Sequence, residues 1–131
     1  MHMHKWVIVS LMIALGSLFV MACGASSSGQ ATVASGEVTI KASEFKLEPG
    51  TVRVEVGKPI KLVLKNEGKI EHNVKIVGLT VKGADALLDA KAGESASVEV
   101  TPDKVGTFTI ECTTPGHKDA GMTGKFEVVS P

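Results

Sequence analysis

Apolar and polar residues alternate with a period of two through most of the chain from residue 37 onward. In residues 52–56, for example, three valines alternate with an arginine and a glutamate. A period of two places one face of a strand in a core and the other in water. The segments that follow this pattern are residues 37–41, 52–56, 60–65, 70–77, 95–101, 104–112 and 122–129. Sequences typical of turns, such as Pro49-Gly50, separate them.

This succession predicts an all-β fold, an antiparallel sandwich or barrel of seven to eight short strands. Only residues 84–90, with the sequence ADALLDA, favour a helical turn, and they lie in the longest connection between predicted strands. The sequence shows no internal repeat. Residues 36–131 are therefore predicted to form one domain.

The first 22 residues differ from the rest, because Lys5 is followed by an uncharged apolar run over residues 6–22. A basic residue, a short apolar core and a small residue before a cleavage point are typical of a secretory signal peptide. The run is shorter than the roughly 20 apolar residues that span a bilayer comfortably, and an uncleaved membrane anchor is the alternative. The chain is therefore expected to be exported, to the periplasm or the outer face of a membrane.

The sequence VMAC at residues 20–23 resembles the lipobox of bacterial lipoproteins, which implies that Cys23 carries a lipid. An ordinary signal peptide, cleaved nearby, would instead leave Cys23 as a free thiol. Residues 23–35 are mostly small and polar, which is the composition of a flexible tether. Together these features predict a domain that is lipid-anchored to a membrane.

Charge gives no indication of a polyanionic partner. The chain has 14 basic and 14 acidic residues, and removal of residues 1–22 takes away only Lys5, which leaves 13 basic and 14 acidic residues and a net charge of −1. With 44% apolar and 21% charged residues, the composition is that of a globular protein. Binding to nucleic acid is therefore not expected.

One loop concentrates residues that can bind a metal. The sequence ECTTPGHKDAGM at residues 111–122 places a cysteine, a histidine and a methionine at five-residue steps, with glycines between them. The alternation over residues 108–112 predicts that the cysteine points inward. After Cys23 the chain contains one cysteine, two histidines and one methionine. They are Cys112, His72, His117 and Met122.

These four side chains are the ligand set of a mononuclear blue-copper site, with two imidazoles and a thiolate in a plane and a weak thioether on the axis. Imidazole and thiolate suit both Cu(I) and Cu(II), so little has to move when an electron arrives. Each residue also has a simpler interpretation: Cys112 and Met122 could be core packing, and His72 could be a packed histidine. Because all four occur together, one copper ion is predicted.

The segment CTTPGH at residues 112–117 is similar to the cysteine-to-histidine segment of azurins, and the C-x4-H-x4-M spacing resembles that of auracyanins. The segment EHNV at residues 71–74 resembles the strand that carries the first histidine in the cupredoxin family. The resemblance implies the cupredoxin fold, a Greek-key β-sandwich. Azurins have a glycine where this chain has Glu71, which argues against a fifth ligand from that carbonyl.

The same resemblance implies roles for residues around the ligands. Asn73 would brace the two ligand loops, and the backbone N–H groups of Asn73 and Thr114 would donate to the sulfur of Cys112. Electrons would pass through the exposed edge of His117. The surface around that edge would consist of Pro115, Gly116, His117, Ala120 and Gly121, with the charged Lys118 and Asp119 among them.

The predicted function is that of a membrane-tethered electron carrier, a monomer that exchanges electrons with redox proteins of a respiratory or photosynthetic chain. The alternative is a protein that stores or delivers copper outside the cytoplasm. An enzyme is not expected. A Cys-His nucleophile pair is conceivable, but Cys112 is predicted to point inward, and a copper oxidase or nitrite reductase would need further histidines. Zinc is disfavoured because a thioether is a poor zinc ligand.

Overall fold

The computed structural model describes residues 33–81 and 83–131, which form two β-sheets packed face to face. The predicted signal peptide, residues 1–22, and the predicted lipid attachment point, Cys23, lie outside the described residues, as does most of the predicted tether. Within the described ranges, no helix has the length and apolar character needed to cross a membrane.

Ten strands make up the described part of the chain, and the predicted all-β sandwich is confirmed. They are β1 (Val33–Ala34), β2 (Gly36–Ser43), β3 (Lys46–Glu48), β4 (Thr51–Glu55), β5 (Ile60–Asn66), β6 (His72–Val81), β7 (Ala84–Ala90), β8 (Ser95–Val100), β9 (Gly106–Glu111) and β10 (Thr123–Val129). One sheet has the order β1-β4-β10-β9-β6-β7, and the other has the order β3-β2-β5-β8.

Both sheets mix parallel and antiparallel neighbours. β2 runs parallel to β5, and β4 runs parallel to both β1 and β10, whereas β9 is antiparallel to β10 and to β6. The expectation of an antiparallel sandwich therefore holds for five of the eight strand pairs that the structure describes, and three pairs are parallel. Parallel neighbours such as β2 and β5 arise because the chain crosses to the other sheet and back between them.

All seven segments with alternating polarity are strands, with their ends shifted by a few residues. Three further strands were not predicted. β1 lies inside the predicted tether, so the folded part begins at least as early as Val33 rather than at residue 36. β3 is only three residues long, which is too short to show a period.

The predicted helical turn at residues 84–90 is wrong, because this segment is strand β7. Alanine and leucine favour helices locally, but ADALLDA also has apolar residues at every second position. Ala86, Leu88 and Ala90 are buried, and Leu87 between them is 49% exposed. Antiparallel pairing with β6 satisfies the backbone of β7 and puts the three buried residues into the core. Tertiary pairing has overridden local propensity.

The order of the strands brings one end of the sandwich together around the loop of residues 112–122. β9 ends at Glu111, and β10 begins at Thr123, directly opposite it in the ladder. β6 is antiparallel to β9, so its first residue, His72, lies at the same end. β2 is parallel to β5 and pairs Ala42 with Asn66, so the turn after β2 also reaches this end.

Replacement of the buried Leu88 by alanine tests the assignment of β7. Because Leu88 is 3% exposed, the change should lower the free energy of unfolding by about 2–5 kcal/mol. The matched change of its exposed neighbour, Leu87→Ala, should cost less than about 0.5 kcal/mol. Urea denaturation measures both values, and equal losses at the two positions would contradict the assignment.

Candidate metal centre

Three potential ligands meet in the interior at this end of the sandwich. One donor atom from each of His72, Cys112 and His117 lies within 4.8 Å of the other two. The sulfur of Cys112 is 3.5 Å from Nδ1 of His117, and the two imidazole rings have their centroids 5.0 Å apart. Ligands at bond lengths of about 2.0–2.3 Å have separations of this order. A single metal ion can therefore be reached by all three side chains.

The loop that carries Cys112, His117 and Met122 is closed by its own backbone. The N–H of Cys112 donates to the carbonyl of Met122 at 3.1 Å, and the N–H of Met122 donates to the carbonyl of His117 at 3.1 Å. Gly116 and Gly121 adopt φ angles of +82° and +99°, a conformation that other residues rarely accept. The glycines are thus needed for the tight path that brings the three residues together.

The four predicted ligands are all buried, but to different degrees. Cys112, His72 and Met122 are fully buried, and His117 is 7% exposed. The predicted inward direction of Cys112 is therefore confirmed. The backbone contacts place Met122 at the neck of the loop, between the other two ligand candidates. A bond from its thioether to the metal stays a prediction.

The ring of His72 is buried without a hydrogen-bond partner in the described part of the chain. Both of its ring nitrogens are buried, and neither forms a hydrogen bond with any residue that the structure describes. Burial lowers the pKa of His72, and His117 lowers it further, while Glu44 acts in the opposite direction. A neutral, buried imidazole without a hydrogen bond is costly. It is also the form that binds a metal ion.

A side-chain contact joins the two chain segments that carry the ligands. Oδ1 of Asn73 accepts hydrogen bonds from the backbone N–H of Thr113 at 2.7 Å and from its hydroxyl at 3.2 Å. Asn73 follows His72, and Thr113 follows Cys112. The contact thus lies where the predicted brace would act. The predicted donation from the N–H groups of Asn73 and Thr114 to the sulfur stays a prediction.

Asn66 is a buried polar residue whose importance the sequence analysis missed. It is 1% exposed, and its amide nitrogen donates to the carbonyls of Ile70, at 2.7 Å, and Ala90, at 2.9 Å. Its amide oxygen accepts from the N–H of Gly68 at 2.9 Å. Ala90 of β7 lies opposite His72 of β6 in the ladder. Asn66 therefore joins the loop that precedes His72 to strand β7.

The signal for Asn66 was present in the sequence. Ile60, Leu62 and Leu64 define the inward face of β5, and Asn66 continues the same phase. A polar residue at an inward position needs hydrogen-bond partners in the interior.

Phe45 was also missed, and it lies against the second histidine. Its ring packs edge-on against His117, with centroids 5.3 Å apart and an angle of 88° between the planes. Phe45 is 46% exposed and has a φ of +63°, which is uncommon for an aromatic residue. No alternation or motif marks this position in the sequence.

The predicted electron-transfer surface is exposed around His117. Pro115, Gly116, Ala120 and Gly121 are all at the surface. Lys118, which could have interrupted the patch, pairs with Glu111 at 2.6 Å. Glu111 holds the pKa of Lys118 above its usual value, so the lysine charge is compensated beside the patch.

The donor set suits copper. A thiolate and two imidazoles are soft and intermediate ligands that copper binds in either oxidation state. The two orphaned nitrogens of His72 are the observation that most favours a bound ion, because a metal would take one of them. The residues present therefore fit the predicted copper ion.

Removal of the Asn73 side chain tests its role as a brace. Asn73→Ala should lower the free energy of unfolding of the metal-free protein by about 1 kcal/mol, because two hydrogen bonds to Thr113 are lost. Asn73→Asp keeps the acceptor oxygen and should lose less. Urea denaturation gives both values, and no loss in the alanine variant would show that the contact is not stabilising.

Comparisons with known proteins match the chain to a family and to a relative. A family model described as a cupredoxin-like domain matches residues 11–126. The copper-resistant cuproprotein CopI of Rubrivivax gelatinosus is 30% identical over an alignment of 117 positions that covers 76% of this chain and 70% of that protein.

Solved structures give the same fold. The dithionite-reduced auracyanin of the photosynthetic bacterium Roseiflexus castenholzii has a TM-score of 0.64 at 23% identity, over 73% of this chain and 98% of that one. Auracyanin A of Chloroflexus aurantiacus has a TM-score of 0.58 at 22% identity, over 72% of this chain and all of that one. With the family match over most of its length, the chain belongs to the cupredoxin-like family.

Proposed function

We propose that this chain is a mononuclear blue-copper protein that carries single electrons. The observation that supports this best is the buried cluster of His72, Cys112 and His117, whose donor atoms lie within 4.8 Å of one another. Bound copper would supply the Cu(I)/Cu(II) couple, with Met122 as a weak axial ligand. An enzyme is not part of the proposal, because the ligand residues are nearly closed to solvent.

The protein's own contribution is a rigid and dry site. Cys112 and His72 are fully buried, so water is kept from the thiolate and from the ring. Cys112 lies directly after β9, His72 begins β6, and backbone hydrogen bonds close the loop between the remaining ligands. A site on rigid elements changes little between two oxidation states, which keeps the cost of electron transfer low.

His117 is the proposed point of entry and exit for the electron. It is the least buried of the three clustered residues, and Pro115, Gly116, Ala120 and Gly121 surround it at the surface. Phe45 adds an exposed aromatic ring to this patch. A small apolar surface of this kind suits brief contact with redox protein partners.

We further propose that the domain works outside the cytoplasm, held at a membrane by a lipid on Cys23 and a tether formed by the part of residues 23–35 that precedes β1. The support is the sequence of residues 1–35. Such a tether would let the domain turn toward partners of a respiratory or photosynthetic chain.

A visible spectrum tests the proposed copper centre. Addition of one equivalent of Cu(II) to the purified protein should give an intense thiolate-to-copper absorption band that ascorbate bleaches reversibly. Cys112→Ser should abolish the band, and the matched control Cys23→Ser should keep it. A colourless Cu(II) complex of the wild type would contradict the proposal.

Copper storage or delivery is the second candidate, favoured by the name of the Rubrivivax gelatinosus relative, a copper-resistant cuproprotein. The burial of the site argues for slow release. Competition with a copper chelator separates the two functions: an electron carrier should retain its copper over many redox cycles, whereas rapid and complete transfer would favour delivery.

Fractionation of cells tests the membrane attachment. The wild-type protein should be found with the membranes, and Cys23→Ser should move it to the soluble exported fraction, because the lipid can no longer be attached. Cys112→Ser is the control, since it leaves the proposed lipid site unchanged. Membrane association of the Cys23→Ser variant equal to that of the wild type would contradict lipid anchoring there.

A further inference from the structure

A carboxylate lies close to the outer edge of the buried His72 ring. Glu44 belongs to the turn between β2 and β3, and its side chain reaches across to the loop that precedes His72. Its carboxylate accepts a hydrogen bond from the backbone N–H of Lys69. This bond, together with the backbone N–H of Glu44 itself, holds the pKa of Glu44 below its usual value. Glu44 therefore carries a full negative charge at neutral pH.

The surroundings of Gly68 show how close this charge is to His72. A Cβ atom added to Gly68 would lie 2.8 Å from Oε1 of Glu44, 3.0 Å from Nε2 of His72 and 3.2 Å from Oδ1 of Asn66. Three polar atoms thus converge on one side of the Gly68 backbone. Two of them are hydrogen-bond acceptors, and the third is a ring nitrogen.

The direction of the His72 ring follows from this arrangement. Nε2 faces the side of Glu44 and Asn66, which leaves Nδ1 as the nitrogen available to the cluster with Cys112 and His117. Nε2 is buried and has no hydrogen bond within the described chain. A ring protonated at Nε2 would satisfy the nearby acceptors and leave the Nδ1 lone pair free.

We propose that Glu44 is a positioning residue for His72: its carboxylate receives the Nε2–H of the ring, directly or through one water, and so presents Nδ1 to the metal. This inference rests on the proposed copper site. Carboxylates that accept the second N–H of a metal-bound histidine fix its tautomer and orientation and raise its basicity.

The charge of Glu44 has a second consequence for the proposed function. A negative charge beside the ligand stabilises Cu(II) more than Cu(I), because Cu(II) carries the larger positive charge. Loss of that charge should therefore raise the reduction potential.

Glu44→Gln tests the effect of the charge. The amide oxygen can still accept from the backbone of Lys69, so the loop is expected to keep its fold. The ratio of Cu(II) to Cu(I) affinity should fall about tenfold, which corresponds to a rise of about 59 mV in the reduction potential of a one-electron couple. Glu67→Gln is the matched control. Glu67 is an exposed residue of the loop between β5 and β6, which also contains Lys69, and its carboxylate pairs with Lys41 and Lys65.

The tautomer of His72 gives a readout that needs no copper. In metal-free protein, long-range ¹H–¹⁵N correlation should show the wild-type ring protonated at Nε2. Glu44→Ala should mix the two tautomers, and Glu67→Ala should not. Chemical denaturation of each variant separates this effect from a loss of fold.

The outcomes distinguish the two proposals. A wild type without a reversible copper couple contradicts the proposed function, and the tautomer measurement then decides the role of Glu44 alone. A wild type with a reversible couple, together with equal potentials in Glu44→Gln and Glu67→Gln, overturns the role of Glu44.

Discussion

The convergence of Cys112, His72 and His117 in a nearly dry interior is the constraint on which the rest of this end of the molecule depends. Buried polar atoms are normally hydrogen-bonded, yet both ring nitrogens of His72 have no such partner in the described chain. A bound ion would remove part of this cost, because it would take one of the two nitrogens as a ligand. The same burial removes water from the thiolate and keeps the donors at fixed distances.

The surrounding structure holds these donors from several directions. Backbone hydrogen bonds close the loop between Cys112 and Met122, and Asn73 links that loop to the strand of His72. Asn66 fixes the segment that precedes His72. The turn between β2 and β3 contacts the site from another side, through Phe45 against the ring of His117. Asn66 ends β5, Asn73 is in β6 and Phe45 is in the turn after β2, so several parts of the sandwich position the site.

Much of this arrangement could be predicted from the sequence, because strands and ligands leave strong local signals. A period of two identified every strand of five or more residues except β7, and the spacing of Cys112, His117 and Met122 identified the loop. β7 was missed because its alanines and leucines satisfy a helical preference as well as an alternating one, and only pairing with β6 decides between them. Sequence alone does not show which strand will pair with such a segment.

The supporting contacts were harder to predict for a related reason. Asn66 gave a signal, as a polar residue in an inward phase, but its partners at Ile70 and Ala90 are set by tertiary structure. Phe45 gave none, because its contact with His117 depends on a turn with positive φ. The convergence of Glu44 and His72 beside Gly68 likewise appears only when the loops are folded.

X-ray absorption at the copper edge of the Cu(II)-loaded protein tests the central claim most directly. One metal bound by Cys112, His72 and His117 predicts a first shell of one short copper–sulfur distance and two copper–nitrogen distances, with the sulfur contribution lost in Cys112→Ser. A first shell of nitrogen and oxygen alone in the wild type would contradict the account, because copper would then lie outside the buried cluster.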